Sequence, residues 1–187
     1  MDINKLFWAI RGLRYKLVFG KFGNFSYIGK PLSIIGKRNI YIGNRVRIYP
    51  NVRMEAANGG KIIIEENTSI AQNFHITSDN EELIVGKNTT ISANVFITNL
   101  DHDYKVIDQH IMDQDRIVKT TRIGENCFIG FGASIQAGSI LGKHCVVGTN
   151  AVVRGVFPDY SVIVGVPGKV VKKYNPNTKI WERVNND

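Results

Sequence analysis

Histidine and carboxylate side chains alternate at Asp101-His102-Asp103. An imidazole titrates near neutral pH, so His102 is suited to take a proton from a hydroxyl group that attacks an activated carbonyl. Asp101 or Asp103 is a candidate to orient the imidazole ring. This triplet is therefore the first candidate for a catalytic centre.

A six-residue period positions these side chains. Gly often follows the repeated apolar residue, and the fourth position is rich in Asn and Gly, which tolerate a positive φ. This period belongs neither to an α-helix nor to an alternating strand, and it predicts an all-β fold, a parallel β-helix of hexapeptide coils with triangular cross-section. The repeated residues are Phe22, Ile28, Ile34; Ile42, Ile48, Met54; Ile64, Ile70, Ile76; Val85, Ile91, Ile97; and Ile123, Ile129, Ile135, Leu141, Val147, Val153.

Interruptions of the period indicate where the prism carries insertions. The step exceeds six after Met54, Ile76 and Ile97, each time after three hexads. Because three strands complete one coil, we expect all three insertions to leave the prism at the same corner. The longest, residues 101–122, is too long for a turn, and long ordered loops in compact domains usually serve function.

The remaining histidines and the cysteines have other positions in the repeat. His75 points outward beside an insertion, so it is a candidate to line the same cleft. His144 takes a turn position, and His110 lies inside the long loop without a surrounding motif. Cys127 and Cys145 fall on inward-facing positions of successive coils, where free cysteine packs as a small apolar residue.

Segments outside the prism flank it at both ends. Residues 1–20 have apolar residues at helical spacing with Lys and Arg between them, which predicts an amphipathic helix that caps the first coil or attaches peripherally to an anionic membrane. Residues 21–171 are assigned to the β-helix and residues 172–187 to a C-terminal tail. No secretory signal or membrane-spanning run is recognised, so we expect a cytoplasmic location, with any attachment at the inner face of the membrane.

The composition indicates one domain with an acidic partner. The chain has 187 residues, 43% of them hydrophobic, and a formal net charge of +8. No nucleic-acid-binding module is recognised, and nucleic acid is not an expected partner. A phosphorylated cofactor or an acidic or phosphate-bearing glycan fits this charge.

These features resemble the hexapeptide O-acetyltransferases, which include galactoside, maltose and xenobiotic acetyltransferases. The resemblance covers about residues 28–172, and the tail is similar to that of members that acetylate capsular and O-antigen sugars. It implies a left-handed coil and transfer of an acetyl group from acetyl-CoA to a sugar hydroxyl in surface polysaccharide biosynthesis. The segments that resemble the family are Asn99-Leu100-Asp101-His102-Asp103, Ile123-Gly124-Glu125-Asn126 and Val164-Gly165-Val166-Pro167-Gly168-Lys169-Val170-Val171.

The same resemblance implies roles for residues on the acceptor side. His102 would be the general base of a direct transfer, and a backbone amide near Phe131 would stabilise the oxyanion. Asp79 aligns with an acidic acceptor-binding position. His75, Asp101 and Asp103 complete the expected acceptor side.

On the donor side, the resemblance implies a groove for acetyl-CoA between adjacent prisms of a homotrimer. Phe131 and Thr149 are expected beside the pantetheine arm. Arg154, Lys169 and Lys172 are expected near the phosphates and adenine. No metal is implied.

Three alternatives stay open. An N-acetyltransferase of an amino-sugar would use the same donor, although such enzymes commonly carry an additional nucleotide-binding domain. A γ-type carbonic anhydrase shares the prism but needs three histidine ligands for zinc, and His102 and His110 are too far apart to match two of them. A non-catalytic scaffold would need neither the His-bearing loop nor the cationic ending.

Overall fold

The computed structural model describes residues 3–184. Within them, one helix, α1 (Ile3–Tyr15), precedes a solenoid of short strands, and 3₁₀ turns occur at Lys37–Asn39 and Ile111–Asp113. No helix in this part of the chain is long and apolar enough to cross a membrane.

Each complete coil of the solenoid contributes one strand to each of three faces, and the last coil contributes strands to two of them. The first three coils contain β1 (Lys21–Phe22), β2 (Tyr27–Ile28), β3 (Ser33–Ile35), β4 (Ile40–Ile42), β5 (Arg47–Ile48), β6 (Arg53–Ala57), β7 (Lys61–Ile64), β8 (Ser69–Ile70) and β9 (His75–Asp79). The fourth coil and the long loop after it contain β10 (Glu82–Val85), β11 (Thr90–Ile91), β12 (Phe96–Thr98), β13 (Leu100–His102) and β14 (Arg116–Val118). The remaining strands are β15 (Arg122–Ile123), β16 (Phe128–Ile129), β17 (Ser134–Ile135), β18 (Ile140–Leu141), β19 (Val146–Val147), β20 (Val152–Val153), β21 (Val156–Phe157), β22 (Ser161–Val164), β23 (Lys169–Asn175) and β24 (Ile180–Arg183).

The three faces are parallel sheets that run the length of the prism. Face A contains β1, β4, β7, β10, β15, β18 and β21; face B contains β2, β5, β8, β11, β16, β19 and β22; and face C contains β3, β6, β9, β12, β17 and β20. The tail folds back, since β23 pairs antiparallel with β22, and β24 pairs antiparallel with β23.

The six-residue period becomes three stacked columns of the core. On face A, for example, Ile42 pairs with Ile64, Ile64 with Val85, and Val85 with Ile123. The repeated residues of coils two to six are almost fully buried, so the period records which side chains point inward. The earlier coil predicted through Phe22, Ile28 and Ile34 is present as β1, β2 and β3.

The corners of the prism depend on left-handed turns. Asn51, Asn73 and Asn94 occupy the same corner in successive coils, with φ of 63°, 59° and 60°. Asn tolerates this conformation, and the stacked side chains form a ladder in which Nδ2 of Asn51 donates to Oδ1 of Asn73 (3.2 Å) and Nδ2 of Asn73 to Oδ1 of Asn94 (2.8 Å). The preference for Asn at the fourth position therefore has both a conformational and a hydrogen-bonding cause.

Helix α1 lies against the first two coils. Its Trp8 ring packs on Tyr27 and Tyr49 at centroid distances of 5.9 and 5.4 Å, and Arg11 Nη1 donates to the carbonyl of Ile28 (3.1 Å). The helix thus contacts the start of the prism through Trp8, Arg11 and Tyr15. The aliphatic side chains Leu6, Ile10 and Leu13 lie on another side of the helix and are 43–61% exposed. One expects the apolar side of an amphipathic helix to be buried instead.

Candidate active site

The insertions leave the prism at one corner, between faces C and A. Asn99, which follows β12 at this corner, is fully buried. Its side chain brackets the peptide of Asp79 in the coil before, because Oδ1 accepts the Asp79 amide (2.8 Å) and Nδ2 donates to the Asp79 carbonyl (3.0 Å). The long loop therefore starts from a rigid point.

A hairpin inside the loop holds His102. Strands β13 and β14 pair antiparallel, with His102 opposite Arg116. Arg116 Nη1 reaches back to Oδ2 of Asp79 at 2.7 Å, and the Asp79 side chain is completely buried. Asn58 Nδ2 donates to both carboxylate oxygens of Asp79, at 3.2 and 2.9 Å. A buried carboxylate on the prism thus anchors the strand next to His102.

The His102 ring has an unusual environment. Its Nδ1 is buried and has no hydrogen-bond partner among residues 3–184. Buried polar atoms in native structures almost always have a partner. The other ring nitrogen, Nε2, also has no hydrogen-bond partner in this part of the chain, but it is not buried, so it is the nitrogen that an entering hydroxyl group can reach.

The carboxylates on either side of His102 have other partners. Asp101 Oδ2 forms an ion pair with Arg154 Nη2 at 2.5 Å. Asp103 Oδ1 accepts the backbone N–H groups of Tyr104 (2.8 Å) and Lys105 (3.1 Å). Within the described residues neither carboxylate hydrogen-bonds to the His102 ring. Desolvation acts to raise the pKa of Asp103, but these two backbone hydrogen bonds and the Lys105 charge together lower it.

His75 lies on the outer side of face C, in β9. Its ring contacts Phe96 edge-on at 5.1 Å, and its Nε2 lies 3.2 Å from Thr77 Oγ1. Partial burial, followed by the nearby Arg53 charge, lowers the pKa of His75, so the ring is held towards its neutral form.

Residues expected beside the pantetheine arm lie at the opposite edge of face C, at the corner between faces B and C. Phe131 and Thr149 occupy equivalent turns in successive coils, and the Phe131 side chain is 47% exposed. The carbonyl of Phe131 accepts the Asn150 amide (2.8 Å), while no acceptor for the Phe131 amide is found within residues 3–184. This amide is free to donate to a ligand.

The three C-terminal cations, Lys169, Lys172 and Arg154, lie in different places. Lys169 starts β23 opposite Val164, close to the corner that holds Thr149, and Lys172 lies farther along the strand opposite Val162. Both side chains are exposed and form no ion pair in the described part of the chain. Arg154, by contrast, is at the edge of the hairpin, paired with Asp101.

The candidate residues therefore form two separate groups, which we call the half-sites. Thr149 and Arg154 belong to the same coil and are separated by five residues, or about 16 Å at the rise of an extended strand. The hairpin with His102 and the turn of Phe131 are thus separated by the width of face C. They can meet across an interface if the hairpin edge of one prism faces the turn edge of another.

Sequence reasoning did not identify Arg116, Asn58 or Asn99 as parts of this site. Arg116 is separated from Asp79 by 37 positions and from His102 by 14, so only the register of the hairpin brings the three together. Asn99 carried a signal, because it opens the loop segment that resembles the family, but its role depends on the coil before it.

The other candidates have local roles. His144 has φ of +57° in a turn, and its ring packs near Tyr160 (5.7 Å). His110 Nδ1 accepts the Met112 amide at the start of a 3₁₀ turn (3.2 Å). Cys127 and Cys145 are buried in the core as free thiols. Among residues 3–184, no three His, Cys, Asp or Glu side chains group as a metal site.

Comparison with known proteins agrees with this architecture. Residues 120–155 match the family model for the bacterial transferase hexapeptide (six repeats). The chain is 33% identical over 167 residues to the putative lipopolysaccharide biosynthesis O-acetyl transferase WbbJ of Escherichia coli K12, covering 86% of this chain and 85% of that protein.

Solved structures with a similar fold include two acyltransferases. The N-acyltransferase AntD of Bacillus cereus, in complex with dTDP and 3-hydroxybutyryl-CoA, has a TM-score of 0.77 at 20% identity, over 90% of both chains. A galactoside acetyltransferase in complex with coenzyme A has a TM-score of 0.58 at 20% identity, over 96% of this chain and 88% of that one. The predicted left-handed parallel β-helix is confirmed. Since one third of its residues are identical to those of WbbJ over most of both sequences, the chain belongs to the hexapeptide-repeat acetyltransferases.

Proposed function

We propose that this protein transfers an acetyl group from acetyl-CoA to a hydroxyl group of a sugar in surface polysaccharide biosynthesis, with His102 as general base. The observation that carries the proposal is the His102 ring on an anchored hairpin, with Nδ1 buried and Nε2 open to an entering hydroxyl group. An imidazole held in place with an open hydrogen-bonding position is what deprotonation of a hydroxyl requires.

The reaction needs no covalent enzyme intermediate. His102 accepts the proton of the sugar hydroxyl as its oxygen attacks the thioester carbonyl. The carbon–sulfur bond then breaks, and the thiolate of coenzyme A takes the proton from the imidazolium. The free amide of Phe131 is the candidate donor to the oxyanion that forms between these two events.

The donor fits the turn edge of face C. Phe131 offers exposed apolar surface for the pantetheine arm beside Thr149, and Lys169 and Lys172 offer unpaired charge for phosphates. Arg154 would have to share its guanidinium between Asp101 and a phosphate, so its contribution to donor binding is expected to be smaller. The coenzyme A species in the AntD and galactoside acetyltransferase structures support this choice of donor.

The acceptor proposal depends on WbbJ, whose similarity covers most of both chains. WbbJ is named a putative lipopolysaccharide biosynthesis O-acetyl transferase, which favours an O-linked product on a surface glycan. N-acylation of a nucleotide-linked amino-sugar is the second candidate, because AntD, which has this fold, is an N-acyltransferase. Asp79 is a weaker acceptor ligand than proposed from the resemblance, since Arg116 and Asn58 already occupy its carboxylate.

We further propose a homotrimer with the active sites between subunits. The loop that contains the hairpin exposes five large apolar side chains, which another prism would cover: Tyr104, Val106, Ile107, Ile111 and Met112. The same contact would join the half-sites at the two edges of face C. Because acetyl-CoA is a cytoplasmic metabolite, we place the enzyme in the cytoplasm.

The test uses purified protein, acetyl-CoA and a panel of glycans and nucleotide sugars, with release of the coenzyme A thiol as the readout. We expect His102→Ala to lower kcat by about 10²–10⁴-fold with little change in KM for acetyl-CoA, and His110→Ala, on the same loop, to retain activity. Normal turnover of His102→Ala would refute the assignment. Treating the product with mild alkali separates the two acceptor classes, since O-acetyl esters are cleaved and N-acetyl amides survive.

A further inference from the structure

The charge of this protein is concentrated at one end of the prism. Residues 3–54, which form α1 and the first two coils, contain eleven Lys and Arg residues and no Asp or Glu. Residues 55–187 contain 13 Lys and Arg residues against 15 Asp and Glu. Of the eleven N-terminal cations, only Arg53 forms an ion pair within the described residues. The net charge of +8 is therefore a property of the N-terminal end.

The same end exposes a continuous row of aliphatic side chains. Leu6, Ile10 and Leu13 follow each other at spacings of four and three residues, so they share one side of α1, and Leu17 follows in the turn after the helix. This side is opposite to the one through which Trp8 contacts the prism. Leu13 is 61% and Leu17 78% exposed. Large apolar side chains aligned in this way rarely remain in water.

The first coil adds to this surface, because no residue in the described part of the chain covers Phe25 or Leu32. Phe25, in the turn between faces A and B, is 89% exposed, and Leu32 is 71% exposed. Leu32 takes the inward-facing hexad position that Val52 fills, fully buried, in the next coil. A groove of about 430 Å³ between α1 and this coil is lined by Leu6, Leu13 and Phe25, among others. We call Leu6, Ile10, Leu13, Leu17, Phe25 and Leu32 the N-terminal apolar surface.

We propose that the N-terminal apolar surface docks on an anionic lipid bilayer. An apolar surface next to ten cations that form no ion pair within the described residues matches the acyl chains and acidic headgroups of such a membrane. A second copy of this chain is a poorer occupant, because it would bring together two copies of residues 3–54, each with eleven cations and no Asp or Glu. In the proposed trimer, cyclic symmetry would place three such surfaces on the same side, which multiplies their attachment.

This proposal does not depend on the identity of the acceptor or on the role of His102. It predicts the orientation of the enzyme, with α1 towards the membrane and the β23–β24 tail away from it. An acetyltransferase held in this way would act on glycans that are assembled on lipid carriers.

The experiment is flotation of the full-length protein with vesicles of phosphatidylglycerol and phosphatidylethanolamine, compared with vesicles of phosphatidylcholine alone. We expect binding to the anionic vesicles only, reduced at least about tenfold when salt rises from about 0.05 to 0.5 M. Leu13→Glu/Leu17→Glu should reduce binding at least about tenfold, because two inserted aliphatic side chains are lost and two negative charges face the lipid. Ile180→Glu, an exposed aliphatic residue on β24, is the matched control and should bind like the natural protein.

A second pair of variants tests the cations. Lys37→Glu/Arg38→Glu, in the exposed 3₁₀ turn after the first coil, should weaken binding, and Lys179→Glu on the tail should not. The proposal is overturned if the natural protein ignores anionic vesicles, if it binds phosphatidylcholine equally, or if Leu13→Glu/Leu17→Glu binds normally. Light scattering tests the alternative that a second copy of the chain covers this surface. That alternative would be shown if the natural protein does not bind vesicles and the molecular mass of its assembly decreases in Leu13→Glu/Leu17→Glu. All these side chains are exposed, so unchanged circular dichroism and unfolding midpoints are expected for every variant.

Discussion

The ion pair between Arg116 and Asp79 should show a strong asymmetry when its partners are removed one at a time. Asp79 has no exposed side-chain surface, whereas the Arg116 side chain is 45% exposed. Arg116→Ala leaves a buried carboxylate with only the amide of Asn58, and a buried charge that loses its partner costs about 3 kcal/mol or more. Asp79→Ala leaves a guanidinium that can turn into water, so it should cost about 1–2 kcal/mol through lost hydrogen bonds and packing.

Urea unfolding of the natural protein, both single variants and the double variant measures these terms. We expect the double variant to be about as stable as Asp79→Ala alone, because the charge that Arg116 compensates is then absent. The resulting coupling energy equals the cost of Arg116→Ala alone and should therefore be about 3 kcal/mol or more. Equal costs for the two single variants that simply add in the double variant would refute the argument from burial.

The same variants report on catalysis, because Arg116 lies opposite His102 in the hairpin. If the pair positions His102, Arg116→Ala should lower kcat by about 10–10²-fold with a smaller effect on KM for acetyl-CoA, as expected when a base is displaced by about 1 Å. A purely structural role would lower stability and leave kcat of the folded protein unchanged.

Three further predictions concern the donor site, the turns and pH. Lys169→Ala and Lys172→Ala should raise KM for acetyl-CoA with little change in kcat, and this effect should shrink at high salt and be absent in Lys179→Ala. If one of the two lysines binds the 3′-phosphate, its variant should no longer distinguish acetyl-CoA from acetyl-dephospho-CoA. Unchanged kinetics in both variants would assign these cations another role. Gly36→Ala should lower the free energy of unfolding by about 2 kcal/mol or more relative to Gly59→Ala. Both glycines have a positive φ (69° and 82°), but only at position 36 would the new Cβ collide with another group, the Ala56 carbonyl. Equal losses of stability in urea unfolding would contradict this. Burial and Arg53 lower the pKa of His75, so as pH falls through about 6.5 this residue is protonated in the unfolded chain before it is protonated in the folded one. The urea midpoint should therefore decrease from about pH 7 to pH 5, and His75→Asn should make that decrease smaller. An equal pH dependence of the midpoint in His75→Asn would show that His75 does not contribute.

The spacing of apolar residues was sufficient to predict the β-helix. A column such as Ile42, Ile64, Val85 and Ile123 needs no knowledge of distant contacts, because each coil repeats the geometry of the coil before it. The interruptions of the period also predicted which strand each insertion follows, and hence that all of them leave one corner.

The sequence also located the candidate site, since Asp101-His102-Asp103 opens the longest insertion. Within that loop, the six-residue period no longer applies. The side-chain partners there depend on the register of β13 against β14 and on how the hairpin packs against β9. Asp101 and Asp103 illustrate this limit: adjacent to His102 in sequence, they are bound to Arg154 and to backbone amides.

The amphipathic pattern of residues 1–20 shows the same division. It determined a helix with one aliphatic side, but not which side meets the prism, because that choice depends on Trp8 finding Tyr27 and Tyr49 on separate coils. Local repetition thus encodes the prism, since every coil interacts mainly with its neighbours. The hairpin, the Arg116–Asp79 ion pair and the exposed side of α1 were decided only in the tertiary structure, because their contacts join segments whose relative placement no period specifies.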